Sequence, residues 1–241
     1  MLIHFFFRNI YIMKISIIIP CFNEIKTIEE IISQIHAKCI YEKEIILIDD
    51  FSDDGTRELI EKKLVNKIDV FIKNDKNYGK GFSVRQGIQK CSGDIVLIQD
   101  ADLEYDPNDY VKLVEPIKNN IADVVYGSRF VGSDAKRVLF FWHRVGNFFL
   151  TTLSNMFTNL NLTDMENCYK VFRRDIIQNL QLKENRFGIE VELTAKIANL
   201  DIRVFEVGVR YYGRKYSEGK KITWKDGFSA IRCILYYSIF K

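Results

Sequence analysis

Two carboxylates one residue apart, Asp100 and Asp102, close the apolar run Gly93-Asp94-Ile95-Val96-Leu97-Ile98-Gln99. An uninterrupted apolar run bounded by polar residues suits a parallel strand covered on both faces, where alternation is not expected. The acids then stand at the carboxyl end of that strand, the edge of a parallel sheet at which ligands bind. Two bare carboxylates so close repel each other. A cation between them relieves the repulsion, and hard oxygen ligands select Mg²⁺ or Mn²⁺. Asp-x-Asp taken alone is a frequent pattern, for which a solvated strand-to-loop turn is the plainer account.

The elements that must position these acids alternate along the chain. Ile15 to Ile19 is a β-branched run closed by Pro20, and Ile28, Ile31, Ile32 and Ile35 then recur at helical spacing within Thr27 to Lys38. Glu44 to Ile48 is a second strand ending at Asp49 and Asp50; the turn Ser52-Asp53-Asp54-Gly55-Thr56 leads into a helix with Leu59, Ile60 and Leu64 inward. Ile68 to Ile72 is a third strand, Asn77-Tyr78-Gly79-Lys80-Gly81 opens a helix with Val84 and Ile88 on one face, and Gly93 to Gln99 is the fourth strand. A helix from Pro107 to about Asn119 and a strand from Asp123 to Tyr126, ending at Gly127-Ser128-Arg129, complete the rhythm. That rhythm argues for a parallel α/β sheet with right-handed crossovers. Beyond 130 it breaks. Val138 to Asn159 reads as a long aromatic-rich helix, Cys168 to Phe172 as a strand, Asp175 to Leu180 and Gly188 to Asn199 as helices, and Ile202 to Tyr211 as a strand.

The first, second and fourth strands thus deliver Glu24, Asp49 with Asp50, and Asp100 with Asp102 to one sheet edge. Acids so gathered suit base and ribose hydroxyls together with a divalent metal. A dinucleotide-binding domain would show Gly-x-Gly-x-x-Gly after its first strand; the chain has Pro20-Cys21-Phe22-Asn23-Glu24 there, which argues against an oxidoreductase. Gly79 and Gly81 fit a tight loop before a helix better than a phosphate cradle.

The 241 residues, 47% hydrophobic, suffice for one large domain, and a net charge of +3 excludes the dense basic surface of a nucleic-acid binder. The five cysteines are scattered without metal-ligand spacing and read as free cytosolic thiols, and His4, His36 and His143 are isolated, with only His143, beside Arg144, expected near the site. Residues 1–13 contain Phe5-Phe6-Phe7 but no spanning segment and no signal-peptide cleavage site, so an extension, or translation from Met13, is expected. Residues 14–223 form the expected domain. Trp224 to Phe240 carries Phe228, Ile231, Ile234, Leu235 and Ile239 near helical spacing, with Lys220, Lys221, Lys225, Arg232 and Lys241 around it. A helix packed on the domain accounts for this pattern; an amphipathic helix in a membrane interface is the rival. Tyr211-Tyr212-Gly213-Arg214 and Glu218-Gly219-Lys220-Lys221 form a basic, glycine-bearing stretch suited to folding over a phosphate.

Four segments in order, Ile-Ile-Pro-Cys-Phe-Asn-Glu (18–24), Ile-Asp-Asp-Phe-Ser-Asp-Asp-Gly-Thr (48–56), Gly-Asp-Ile-Val-Leu-Ile-Gln-Asp-Ala-Asp-Leu-Glu-Tyr-Asp-Pro (93–107) and Gly-Ser-Arg-Phe (127–130), resemble a family-2 inverting glycosyltransferase. Within that family the chain is similar to the branch of dolichol- and polyprenyl-phosphate mannosyl- or glucosyltransferases. The likeness continues through Asp164 to Arg174 and Phe187 to Glu192.

The resemblance implies a GT-A-like, Rossmann-type α/β fold with a mostly parallel sheet flanked by helices. It implies transfer of a hexose from a nucleotide-diphospho-sugar to a polyprenyl phosphate, with inversion, assisted by Mg²⁺ or Mn²⁺. Pro20, Phe22, Glu24, Asp49, Asp50, Lys80, Asp100, Ala101 and Asp102 would bind the donor, and Asp100, Asp102 and Glu104 would hold the metal. Arg129 would engage the acceptor phosphate, with Arg144, Arg214 and Lys221 as weaker matches. Phe51 stands where many members have Gly, and the Gln-x-x-Arg-Trp type motif of processive synthases is absent. The implied setting is cytoplasmic, peripheral on the inner face of the membrane, with no nucleic acid and with a place for a membrane-anchored partner subunit. A phosphate acceptor is already anionic near neutral pH, its second pKa being about 6, and needs no general base. A glycan hydroxyl acceptor is the first rival, and would draw on Asp164, Glu190 or Glu192 as base. A non-catalytic nucleotide-sugar binding partner is the second.

Overall fold

Strand β1 (Lys14–Cys21) runs through the middle of the sheet because its isoleucines leave no polar face: Ile15, Ile17, Ile18 and Ile19 are all fully buried. In the computed structural model, which describes residues 13–132, 137–138, 140–215, 218–219, 221 and 224–239, β1 pairs in parallel with β2 (Glu42–Asp49) and β4 (Ile95–Ile98). β3 (Val70–Lys73) extends the sheet beyond β2. On the other side stand β6 (Lys170–Arg173), β5 (Val124–Ser128) and β7 (Val204–Gly208), for the order β3-β2-β1-β4-β6-β5-β7. β6 is antiparallel to both β4 and β5, and every other pairing is parallel, so six strands end at the same edge.

The crossovers follow the apolar spacing. Helix α1 (Ile28–Lys38) buries Ile28, Ile31, Ile32 and Ile35 as expected. α2 (Thr56–Leu59) widens into a π-helical turn over Ile60–Leu64, which keeps Ile60 and Leu64 inward. α3 (Lys80–Lys90) and α4 (Tyr110–Lys118), the latter opened by a 3₁₀ turn at Pro107–Asp109, complete the first half. In the second half α5 (Phe141–Thr158) precedes β6, and α6 (Arg174–Asn179) and α7 (Gly188–Ile197) separate β6 from β7.

The C-terminal helix α8 (Trp224–Ile239) is a packed helix rather than a detached amphipathic one. Ala230, Cys233, Ile234 and Tyr237 are buried, and it lies on α7 and α5. Gly188 makes room for it, since a Cβ there would stand 2.7 Å from Cys233 Sγ. The larger exposed apolar surface belongs to α5, where Phe141, Trp142, Phe148, Phe149 and Met156 are each more than half exposed. Among the described residues no helix is long and apolar enough to cross a membrane. All five cysteines are free and buried. The extension before residue 13, with His4, lies outside the described residues, as do Lys220, Lys241 and the side chain of Lys225.

The two glycines after β3 owe their identity to packing. A Cβ on Gly79, which sits at φ +101°, would be 2.5 Å from Asn185 O, and one on Gly81 would be 2.4 Å from Glu184 O. The 184–186 backbone is pressed against them, and the Phe82 amide donates to Asn185 O at 3.0 Å.

Candidate active site

The common edge of the parallel strands carries a cluster of acids. Glu24 follows β1, with its Oε2 accepting from Thr27 Oγ1 at 2.8 Å. Asp102 and Glu104 follow β4, and a turn bonds Glu104 N to Asp102 Oδ1 at 3.1 Å. An isolated antiparallel bridge between Tyr105 and Tyr211 draws the 209–215 segment across this turn, fastened by Tyr212 N to Glu104 O at 2.8 Å. That crossing delivers Arg214. Its Nη2 donates to Asp102 Oδ2 at 2.6 Å, its Nη1 to Glu24 Oε2 at 3.1 Å, and its backbone N to Glu104 Oε1 at 2.8 Å. Lys221 Nζ adds a bond to Glu24 Oε1 at 2.7 Å. Arg214 and Lys221, expected as weaker matches for the acceptor phosphate, are therefore bonded to the acids of the sheet edge.

Asp102 is the carboxyl under most electrostatic stress. Burial, with Asp100 and Glu104 beside it, pushes it up to about 8 despite Arg214 pulling the other way. Asp100 behaves oppositely: burial would raise it, but Lys80 Nζ at 2.8 Å outweighs that and holds it below the usual carboxylate range. Lys80 also reaches Glu190 Oε1 at 3.1 Å, and Glu190 is paired through its other oxygen with the fully buried Lys170. A relay of alternating charge thus runs inward from Asp100. Gln99 fixes the backbone at this point, its Oε1 accepting from Tyr110 and Tyr169 hydroxyls at 2.8 Å each while Nε2 donates to Asp100 O.

Arg129 leaves β5 and forms a two-pronged ion pair with Asp164, Nε to Oδ2 at 2.7 Å and Nη2 to Oδ1 at 2.6 Å, with Nη2 also donating to Asn147 of α5. Its guanidinium lies over the Tyr211 ring, 5.1 Å from the centroid. The Tyr211 hydroxyl donates to Glu104 Oε2 at 3.0 Å. One tyrosine therefore touches both the acid cluster and the arginine.

Several expected roles are altered by these contacts. Asp164 is fully buried and accepts from Arg129, Asn147 and Asn167; burial raises its carboxyl, but Arg129 prevails and keeps it low, so it positions Arg129 rather than serving as a base. Glu190 is locked between two lysines. Glu192 is turned away: it accepts from the backbone N of Lys183 and Glu184 and from Lys196, which is a loop-fastening role and removes it from the candidate bases. Asp50 is likewise engaged by protein donors, Asn74 Nδ2, Tyr78 N and Gly79 N, which fold the loop before α3. Asp49 pairs with Arg57 at 2.5 Å, although its Oδ1 is buried without a hydrogen-bond partner. Ala101 is buried and Pro20 and Phe22 are half-buried at the same edge. Arg144, exposed on α5, lies over the Phe130 ring, and His143 stands beside Phe140.

Glu166 is a carboxyl that the spacing arguments did not single out. Burial, with Glu190 adding, lifts it to about 7, and its Oε1 is buried without a hydrogen-bond partner. Its place between Asp164 and Asn167 was the available signal, but nothing in the residue order says which of these side chains turns inward.

The acid cluster suits a divalent cation in chemistry. Glu24, Asp102 and Glu104 are hard oxygen donors, and with all three ionised against the two cations Arg214 and Lys221 the formal charge is −1. Arg214 lies among these acids, and among the described residues no three His, Cys, Asp or Glu side chains are grouped to hold a metal ion.

Comparison with known proteins agrees with this architecture. The chain is 30% identical over 222 residues to a dolichol-phosphate mannosyltransferase of Pyrococcus furiosus, covering 87% of this chain but 61% of that protein, so it spans under two thirds of that relative's length. It is 26% identical to an undecaprenyl-phosphate mannosyltransferase of Micrococcus luteus, covering 86% and 87% of the two chains. Among solved structures, glucosyl-3-phosphoglycerate synthase of Mycobacterium tuberculosis superposes with a TM-score of 0.72 at 19% identity, over 95% of this chain and 81% of that one, a likeness of GT-A fold. The family model for glycosyl transferase family 2 matches residues 16–181, which hold the sheet edge, the acid cluster and Arg129 alike, and the chain belongs to that family.

Proposed function

We propose that the protein transfers a hexose from a nucleotide-diphospho-sugar of the GDP-mannose or UDP-glucose type to a polyprenyl phosphate, with inversion and with the help of Mg²⁺ or Mn²⁺. The observation that carries this reading is the double contact of Tyr211, which sets the Glu24/Asp102/Glu104 acids of a donor site next to Arg129. Names of the relatives from Pyrococcus and Micrococcus support a lipid-phosphate acceptor.

In this reading Asp102, Glu104 and Asp100 would hold the cation, which when bound would offset the charge that develops on the leaving nucleotide diphosphate. Lys80 keeps Asp100 ionised. Arg129, oriented by Asp164, steers an acceptor phosphate oxygen onto the anomeric carbon; the new C–O bond forms as the bond to the diphosphate breaks, and single displacement inverts the centre. The exposed aromatics of α5, with Arg144 among them and no acid in the helix, support peripheral attachment at a cytoplasmic membrane face. Asn147 ties that helix to Arg129.

The test is radiolabelled transfer from GDP-mannose and UDP-glucose to undecaprenyl phosphate in liposomes, with Mg²⁺ or Mn²⁺. Labelled lipid is expected from one donor and none from a folded Asp102→Asn enzyme. Full activity in EDTA would overturn the metal assignment, and transfer to soluble sugars alone would overturn the acceptor. A hydroxyl acceptor has one observation in its favour, the near-neutral Glu166 carboxyl with its unpartnered oxygen. In that case Glu166→Gln abolishes transfer to sugars.

A further inference from the structure

Arg214 occupies the centre towards which three carboxylates from two loops converge. It touches Asp102 at 2.6 Å, Glu24 at 3.1 Å and Glu104 at 3.4 Å with its guanidinium, and is nearly buried there, its side chain 17% exposed. Mg²⁺ sits only about 2.0 to 2.1 Å from its oxygen ligands. The guanidinium is bonded to all three acids at once, so an ion drawn to the point where they converge meets a resident positive charge that already fills it. The arginine and the cation are therefore alternative occupants.

We propose that Arg214 is a resident counter-cation of the unloaded enzyme, and that metal binding is an exchange in which the incoming ion expels this side chain from the acids. The inference rests on the donor-site reading above, because it takes Asp102 and Glu104, two of the three acids that Arg214 touches, as ligands of the cation. Lys221, on Glu24 at 2.7 Å, shares the task at the edge of the cluster. An ion arriving alone must displace a charge-assisted pair and leave the guanidinium without an anionic partner. An ion arriving with a nucleotide diphosphate brings that partner, since an arginine fork suits phosphate oxygens. The segment carrying Arg214, anchored through Tyr212 N and the Tyr105–Tyr211 bridge, would then move from the acids to the diphosphate as the donor binds. Metal affinity is consequently low without nucleotide and high with it. The order of binding is written into one side chain.

The experiment is Mn²⁺ titration of the full chain followed by electron paramagnetic resonance of the free ion, which reads binding without catalysis. Arg214→Gln is expected to bind Mn²⁺ without nucleotide at least about tenfold more tightly than the parent, because removing a neighbouring positive charge favours the ion. Arg214→Lys, which keeps the charge, should stay near the parent, and Lys221→Gln should tighten binding by a smaller factor. Asp102→Asn, in either background, should weaken it. Equal Mn²⁺ affinity in the parent and Arg214→Gln, with loss in Asp102→Asn, would overturn the exchange and leave the metal site standing. Absence of Mn²⁺ binding in every variant, with and without UDP or GDP, would overturn both.

Discussion

At the scale of single residues the site is governed by which carboxylates are compensated. Asp164 accepts from Arg129 through its backbone N, Nε and Nη2, and from Asn147, which also accepts from Arg129. Charge-assisted contacts are typically worth about 1.5 to 3 kcal/mol, so Arg129→Ala should weaken acceptor use by roughly ten- to a hundredfold or more. Kinetics with polyprenyl phosphate varied at saturating donor will show this, with donor dependence nearly unchanged; a normal acceptor dependence would place the phosphate elsewhere. Glu166 makes a different prediction. Its folded-state carboxyl titrates near 7, above the ordinary carboxylate range, so the folded chain favours the protonated acid. That contribution is fully present below about pH 4.5 and is lost as pH rises through 7, a change of up to about 3 kcal/mol by linkage. Urea midpoints of Glu166→Gln should lose this dependence between pH 5 and 8. If parent and variant fall in parallel, Glu166 is not the group responsible.

At the scale of elements, α5 has the most exposed apolar surface and is tied through Asn147 to Arg129. Phe141 is 68% exposed, Trp142 77% and Phe148 69%, and such a patch on a helix without acids fits the headgroup boundary of a bilayer. Replacing these three with serine should sharply reduce co-sedimentation with anionic liposomes while leaving the circular dichroism spectrum intact. α8 offers the contrast. Its apolar spacing alone admitted both a packed and an interfacial helix, and Cys233 and Ile234, buried on α7, show that its inner face is core. Unchanged sedimentation of the α5 variant would return the attachment to another surface.

At the scale of the whole molecule, the parallel half and the mixed half share the β4–β6 pairing and meet again where residues 79–82 abut the 184–186 loop. Gly81→Ala tests that seam. Alanine in a helix interior is ordinarily favoured over glycine by about 1 kcal/mol, but here its Cβ would stand 2.4 Å from the Glu184 carbonyl oxygen. Backbone on the far side must move, and overpacking of this kind costs about 1 to 3 kcal/mol. The expected result is a lower denaturant midpoint with an unchanged m-value; a stabilised variant would show that the loop yields without cost.

The elements of the first 130 residues, and the acids at their ends, are legible along the chain because the strands are short and almost wholly apolar and the crossover helices repeat apolar residues near helical spacing. The sequence also determined family, through four motifs whose order and intervals are local properties of the chain. The antiparallel insertion of the strand at Lys170–Arg173 between β4 and β5 is visible only in the fold, since apolar run and direction are independent in a strand buried on both faces. Partnership among charges was decided there as well. Arg214 is 112 residues from Asp102 and 190 from Glu24, and Lys80 is 110 from Glu190. Spacing along a chain carries no record of such distances. Burial does, because a carboxylate excluded from water must find a cation or accept a proton, and the fold alone chooses which.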